Sequence, residues 1–194
     1  MFSPRDPFVA GLVGLTLTVL LIDIIRLKFP RINERFMTAF RVLLRAKEVS
    51  TLTGSTYFLI AASIIFIFCD KAIAAIALAF AAVGDPIAGI VGERWGTMKM
   101  SSEEQKTCRT PKFCRNLRFR WMRGKSWQGN LACFVACLIV GGVLATVTQV
   151  ALWIVVMGAM CAATVEFVSL PINDNLTIPL VSAGVMNLVH SVTV

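Results

Sequence analysis

Charged residues are scarce in this sequence, and their scarcity argues against an ordinary soluble domain. Only 15% of the 194 residues are charged, 57% are hydrophobic, and the mean hydropathy is +0.76. Soluble domains carry about 25% charged residues. Several apolar runs approach the roughly 20 residues that a helix needs to cross a bilayer. The composition therefore predicts an all-α fold, a polytopic transmembrane helix bundle of about six spans that forms a single integral membrane domain over residues 1–194.

Metal-binding and targeting patterns are also missing. The chain has one histidine, His190, and its six cysteines show no spacing typical of a metal site, which argues against a soft-metal centre. No basic segment precedes Phe8 and no small-residue cleavage site follows Ile25, so residues 8–25 are predicted to be a retained first span rather than a signal peptide. Near the end of this span, Asp23 and Arg26 are three residues apart and are expected to pair at the membrane interface.

Lys and Arg are absent after Lys125, and their distribution predicts the topology. All but two of the 19 Lys and Arg residues lie within 26–47 and 94–125. Loops rich in Lys and Arg stay on the cytoplasmic side. This pattern favours membrane topology over a nucleic-acid-binding surface and predicts an N terminus outside the cytoplasm.

The two basic segments differ in character. Apolar residues recur at helical spacing within 31–47, which predicts an amphipathic helix lying flat at the headgroup level. Residues 97–128 are predicted to form a basic cytoplasmic loop. Such a loop can bind anionic lipid, and an anionic headgroup or nucleotide would be attracted by the same charges.

An acidic residue stands beside a proline directly after the apolar run 72–83, in Gly84-Asp85-Pro86. Pro86 has no backbone N–H and restricts the residue before it, so this span is predicted to be broken near Gly84–Pro86. Unpaired backbone groups at membrane depth are tolerated where protein or a water-filled cavity satisfies them. A carboxylate is costly there and usually faces a site or a partner. The alternative is a simple proline kink in which Asp85 pairs with an arginine.

Further acidic residues follow two later apolar runs. Glu166 ends the run 151–165, and Asp174 lies in Asn173-Asp174-Asn175. With both basic segments in the cytoplasm, the count of crossings brings Asp85, Lys125, Glu166 and Asp174 to the cytoplasmic face. Carboxylates surrounded by cations suit a Mg²⁺-bound nucleotide, because oxygen ligands hold the metal and Lys or Arg holds phosphate.

An ordered set of motifs resembles a known enzyme family. The motifs are Arg45-x-x-Glu48, Leu52-Thr53-Gly54-Ser55-Thr56-Tyr57-Phe58, Gly84-Asp85-Pro86-x-Ala88-x-x-x-Gly92-x-x-x-Gly96, Gly124-Lys125-Ser126-x-x-Gly129, and Glu166 with Asp174-Asn175-x-x-x-Pro179. Over residues 45–179 this set is similar to the dolichol kinase, phytol kinase and CTP-dependent diacylglycerol kinase family. The resemblance implies a multi-span membrane kinase that transfers phosphate from CTP to a lipid alcohol. Gln128 stands where members of the family usually carry an acidic residue.

The resemblance and the topology together assign hypothetical roles. Asp85 and Asp174 are expected to be catalytic, as Mg²⁺-bound carboxylates or, for one of them, as the base. Glu166 is expected either to be a further metal ligand or to support the ligands from behind. The residues expected to bind the nucleotide are Lys125, Ser126, Gly129, Asn175 and Arg45. Those expected to shape the lipid entrance are Glu48, Thr53, Gly54 and Tyr57.

Other functions remain open at the level of sequence. The Lys125 motif is also similar to the CDP-diacylglycerol synthase family, so a phosphatidate cytidylyltransferase is one alternative. A small transporter is another, because broken spans and buried acids also mark substrate pathways. The residues do not distinguish diacylglycerol from a polyprenol or dolichol as the acceptor, and they do not predict an oligomeric state.

Overall fold

The structure is a computed structural model that describes residues 7–40, 49–96, 126–168 and 172–193, and most of these residues are helical. The chain divides into two compact units, residues 1–68 and 69–194. The first unit contains α1 (Pro7–Lys28), α2 (Pro30–Ala39) and α3 (Gly54–Phe68). The second contains α4 (Lys71–Ala79), a π-helical segment (Phe80–Gly84), α5 (Asp85–Trp95), α6 (Trp127–Thr148), α7 (Leu152–Val168) and α8 (Asp174–Thr193).

The apolar runs of the sequence form helices as predicted. Within the described ranges, four helical stretches are long and apolar enough to cross a membrane, namely α1, the continuous stretch Lys71–Trp95, α6 and α8. Helices α3 and α7 are apolar but shorter. The predicted first span, residues 8–25, lies within α1, and the apolar runs 72–83 and 151–165 coincide with the stretch Lys71–Trp95 and with α7. The helical membrane architecture is therefore confirmed for the described residues, and the number of crossings stays a prediction.

The predicted break at Gly84–Pro86 is wrong. Gly84 and Asp85 keep right-handed helical dihedral angles, and α4 continues into α5 through the π-helical segment. In an α-helix the Pro86 ring would clash with the carbonyl group four residues earlier. The wider π-helical turn accommodates the proline without ending the helix. Asp85 is consequently held on a continuous helix.

One face of α1 is buried in the first unit. Its buried residues are Val9, Thr16, Asp23 and Arg26, which share a face at helical spacing. Thr16 Oγ1 and Ser63 Oγ of α3 form a hydrogen bond of 2.8 Å. Helix α2 accounts for the first part of the amphipathic helix predicted over 31–47, and residues 41–48 lie outside the described part of the chain.

The core of the second unit surrounds Phe80 in the π-helical segment, which is fully buried. Gly141 of α6 and Gly158 of α7 leave space for its ring. A Cβ atom on Gly141 would lie 2.8 Å from Phe80 Cε1, and one on Gly158 would lie 3.1 Å from Phe80 Cε2 and in contact with Met186 of α8. Small residues thus let four helices approach closely, as is common between membrane helices.

Candidate active site

The start of α6 is held between α5 and the end of α7. Gly129 lies against α5, where an added Cβ atom would come within 2.7 Å of the Ala88 carbonyl oxygen and 3.3 Å of Gly92 Cα. On the other side, the Trp127 ring contacts the Phe167 ring at a centroid distance of 5.1 Å. Since α6 begins, α7 ends and α8 begins at this level, the polar residues of these helices share one end of the second unit.

Asp85 and Glu166 lie beside the same turn of α6. Gly84 packs directly on this helix, since a Cβ atom there would lie 2.8 Å from Cys137 Sγ and 3.1 Å from Cys133 Sγ. The Cys133 thiol is within electrostatic range of both carboxylates. Glu166 is 5% exposed, whereas Asp85 is half-buried. The structure therefore places two of the three predicted carboxylates, from helices far apart in sequence, within electrostatic range of one side chain of α6.

Asp174 lies at the same end of the unit but nearer its surface. Gly158 and Met186 mark the level of the Phe80 ring. At 1.5 Å per residue, Glu166 is about 12 Å beyond that level along α7, and Asp174 is about 18 Å beyond it along α8. Within the described ranges, no three His, Cys, Asp or Glu side chains are close enough to share a metal ion. Asp85, Glu166 and Asp174 consequently do not form a single ligand set.

The small residues of two motifs hold α5 and α6 together. Ser126 is the buried N-cap of α6, and its Oγ accepts a hydrogen bond of 3.1 Å from the Gly129 N–H. The spaced residues Ala88, Gly92 and Gly96 face this turn, and a Cβ atom on Gly96 would lie 2.9 Å from Ser126 Oγ. Ser126 and Gly129 thus have a packing role, and their contact with phosphate stays a prediction.

Of the other residues predicted to bind the nucleotide, Asn175 lies in the described part of the chain. Asn175 is half-buried in the first turn of α8, where its N–H donates to Asn173 Oδ1 at 3.0 Å. Lys125, Arg45 and Glu48 lie outside the residues that the structure describes, as does most of the predicted basic loop 97–128. Their roles stay predictions.

The predicted entrance residues belong to the first unit, where Thr53 takes part in a buried hydrogen-bond network. The N–H and Oγ1 of Thr53 donate to Asp23 Oδ2 at 2.8 and 2.9 Å, and Thr56 Oγ1 donates to the same oxygen at 2.6 Å. Gly54 and Tyr57 are half-buried in the first turn of α3. Thr53 therefore positions the start of α3, and the entrance role of this group stays a prediction.

The sequence predicted the pairing of Asp23 with Arg26 but not its burial. Arg26 Nε donates to Asp23 Oδ1 at 3.0 Å, and the two residues are 0% and 2% exposed. Their position at the membrane interface stays a prediction. The other guanidinium nitrogens donate to Asn33 Oδ1 at 3.1 Å and to the Thr51 carbonyl oxygen at 2.8 Å. The sequence feature that could have indicated this burial is a pair of threonines three residues apart at the start of an apolar helix. Both of their hydroxyl groups can reach one carboxylate.

Asn130 is a second polar residue that the sequence reasoning missed. It lies one residue after the Lys125 motif, in the first turn of α6, and its Oδ1 atom is buried without a hydrogen-bond partner among the described residues. The signal that could have identified it is a carboxamide at the beginning of an otherwise apolar span.

An apolar groove runs between the α4–α5 helix and α6. It has a volume of about 320 Å³ and is lined by Val83, Ile87, Ala132, Val135, Ala136, Ile139 and Val140. Val83 and Ile87 flank Asp85 in sequence. The groove therefore follows the helix that carries the half-buried carboxylate.

Sequence comparison relates the chain to two fungal proteins. It is 32% identical over 135 residues to the CTP-dependent diacylglycerol kinase 1 of Eremothecium gossypii, which covers 70% of this chain and 35% of that protein. It is 27% identical over 119 residues to the CTP-dependent diacylglycerol kinase 1 of Saccharomyces cerevisiae, covering 61% and 34%. The chain thus spans about a third of the length of these relatives. No family model matches. No solved structure matches.

Proposed function

Because this chain belongs to the CTP-dependent lipid kinase family, as its motifs predicted, we propose that it transfers the terminal phosphoryl group of CTP to the hydroxyl group of a membrane lipid. The names of the relatives make diacylglycerol the first acceptor to test. A polyprenol or dolichol offers the same hydroxyl group on an apolar chain and is the second. The matched segment is about a third of the length of each relative. The CTP-dependent kinase activity of this chain is therefore a proposal.

The observation that carries this proposal is the position of Asp85 and Glu166 beside one turn of α6. Both lie in helices of an apolar bundle, where a charged side chain is costly and is usually retained for a site or a partner. The helices that hold them are fixed by the contact of Gly129 with α5 and of Trp127 with Phe167. The carboxylates are therefore held on packed helices, which suits phosphoryl transfer because its catalysis depends on positioning and electrostatics.

The donor atoms at this end of the unit fit Mg²⁺. This cation usually binds proteins through one or two carboxylates and completes its coordination with waters and substrate phosphates. Asp85 and Glu166 would supply the carboxylates, and the buried Asn130 Oδ1 is a further oxygen without a hydrogen-bond partner in the described ranges. Bound Mg²⁺ would neutralise charge on the phosphates. A cage of three protein carboxylates is not required for such a site.

The proposed roles of the side chains follow from these positions. One carboxylate oxygen of Asp85 would hold Mg²⁺, and the other accepts the proton of the lipid hydroxyl group while the hydroxyl oxygen attacks the terminal phosphorus of CTP and CDP leaves. Asp174 and Asn175, nearer the surface, act where the nucleotide enters. The residues proposed to hold its phosphates are Lys125, Arg45, Ser126 and Gly129. The apolar groove beside Val83 and Ile87 would take part of the acceptor's hydrocarbon chain.

The proposed orientation places this end of the unit at the cytoplasmic face and the N terminus outside. The distribution of Lys and Arg supports it, because almost all of them lie in the two segments that this orientation leaves in the cytoplasm.

The experiment is a phosphoryl-transfer assay with purified protein in detergent. Diacylglycerol, dolichol, shorter polyprenols and phosphatidate are each offered with CTP, ATP, GTP or UTP, and every nucleotide carries its label on the terminal phosphate. Label in the lipid with CTP supports the proposal. Label in released pyrophosphate identifies a cytidylyltransferase instead, and absence of turnover with every pair contradicts an enzymatic function.

A further inference from the structure

The carboxamide of Asn130 has no structural explanation within the helix bundle. Its Oδ1 atom is buried and has no hydrogen-bond partner among the residues that the structure describes. Burial of a polar atom without a protein donor is unfavourable and uncommon in folded proteins. A group that binds there would restore the missing interaction.

The surroundings of Asn130 are defined by residues one turn away on either side. Trp127 contacts Phe167, the residue next to Glu166. Cys133 lies within electrostatic range of Asp85 and Glu166. Residues three apart share a face of a helix. Asn130 consequently lies between the contact of α6 with Phe167 and the thiol that is within electrostatic range of both carboxylates.

The chemistry of the Asn130 Oδ1 atom indicates which kind of ligand would bind to it. A carboxamide oxygen only accepts, so its complement is a proton donor or a cation, and phosphate oxygens are excluded because they also accept. Two neighbouring carboxylates favour a cation, and a set of carboxylate and carbonyl oxygens suits a hard divalent ion.

We propose that Asn130 Oδ1 is a ligand of the divalent cation that accompanies the nucleotide, together with the carboxylates of Asp85 and Glu166. This inference rests on the proposed function, because the cation arrives with CTP. It adds to the site a residue that lies just beyond the Lys125 motif.

The test measures CTP binding to the purified protein as free Mg²⁺ is varied. Asn130→Leu keeps the approximate shape of the side chain and removes the oxygen. We expect this variant to need about tenfold more Mg²⁺ for half-maximal CTP binding, because one oxygen ligand is lost. Its CTP binding in EDTA should equal that of the wild type. Asn130→Asp, which keeps an oxygen and adds charge, should need no more Mg²⁺ than the wild type.

A stability measurement separates a ligand role from a structural role. The Asn130 Oδ1 atom has no hydrogen-bond partner among the described residues, so the thermal unfolding midpoint of Asn130→Leu should not fall. The matched control is Asn187→Leu on α8, which removes an amide whose Oδ1 accepts the Asp70 N–H at 3.4 Å and should leave the Mg²⁺ requirement unchanged. An unchanged Mg²⁺ requirement in Asn130→Leu would overturn the proposal, as would weaker CTP binding in EDTA. If Asn130→Leu does not fold, a raised Mg²⁺ requirement in Asn130→Asp would overturn it.

The outcomes distinguish this inference from the proposed function. If the wild type phosphorylates a lipid alcohol and Asn130→Leu binds CTP with wild-type Mg²⁺ dependence, Asn130 is not a ligand of the cation and the proposed kinase function still stands. If the wild type labels no lipid, the kinase function fails.

Discussion

Asp23 and Arg26 show how a buried ion pair is satisfied in an apolar helix. One carboxylate oxygen of Asp23 binds Arg26, and the other accepts hydrogen bonds from Thr53 and Thr56. The remaining guanidinium nitrogens bind Asn33 and Thr51. Burial of a charge pair is tolerated when such additional hydrogen bonds compensate for lost hydration.

We expect Asp23→Leu to lower the free energy of unfolding by roughly 3–5 kcal/mol, because it leaves the Arg26 charge buried without its carboxylate. Thermal unfolding in detergent measures the effect. Asp23→Leu combined with Arg26→Met should be less destabilised than Asp23→Leu alone, and Glu34→Ala on the exposed side of α2 is the control. Equal stability of Asp23→Leu and wild type would show that the pair is unimportant.

A second residue-scale prediction concerns the proposed base. Asp85→Asn keeps the size and the helical position of the side chain but cannot accept the hydroxyl proton. Turnover should fall by about 10²–10⁴-fold while the unfolding midpoint stays near that of the wild type. Asp70→Asn, exposed at the other end of the second unit, is the matched control and should remain active. A fully active Asp85→Asn enzyme would remove Asp85 from the mechanism.

The chemistry of single residues could be predicted from sequence only in part. Asp85 and Glu166 were identified because each is an acid at the edge of an apolar run, and counting crossings brought them together. The burial of Asp23 could not be predicted, because its hydroxyl partners are 30 and 33 positions away along the chain. Asn130 was missed because only packing shows that its oxygen is shielded from solvent.

At the scale of elements, the contact between α5 and α6 depends on residues without large side chains. Gly129 is the tightest point, since an added Cβ atom meets the backbone oxygen of Ala88, which cannot move aside as a flexible side chain could. The same contact positions the turn of α6 that carries Asn130 and leads to Cys133. The contact between α5 and α6 is therefore important both for packing and for the proposed site.

Gly129→Ala should destabilise the protein by roughly 1–3 kcal/mol, the usual cost of overpacking, and should reduce turnover by displacing α6 from α5. Gly142→Ala on the same helix is the matched control, because a Cβ atom there meets nothing within 4 Å. That variant should be as stable as the wild type or more so, since alanine favours helices over glycine. Thermal unfolding and the phosphoryl-transfer assay measure both. Equal behaviour of the two variants would contradict the packing role of Gly129.

The positions of the helices could be predicted from the sequence more accurately than their local geometry. Apolar runs predicted the membrane helices because burial in lipid requires backbone hydrogen bonds within each segment. Pro86 gave a wrong prediction, since its missing N–H can be accommodated either by a break or by a π-helical turn, and the sequence pattern does not distinguish them. The structure contains the π-helical turn, and its Phe80 side chain fills the space left by Gly141 and Gly158.

At the scale of the whole molecule, the distribution of basic residues predicts which side of the membrane each connection faces. An epitope inserted after Gln149, in the turn between α6 and α7 where φ is 59°, should be labelled by antibody in intact cells. An epitope inserted within residues 97–125 should be labelled only after permeabilisation. Labelling of both insertions in intact cells, or of the second alone, would contradict the proposed orientation.

The network around Asp23 also bears on how the chain enters the membrane during synthesis. Thr53 and Thr56 leave the ribosome after α1 is complete, so the Asp23–Arg26 pair would meet lipid without the hydrogen bonds that these threonines supply. Release of this helix alone is therefore unfavourable. We expect the insertion machinery to retain α1 until α3 arrives, so that the two helices enter the bilayer as one unit.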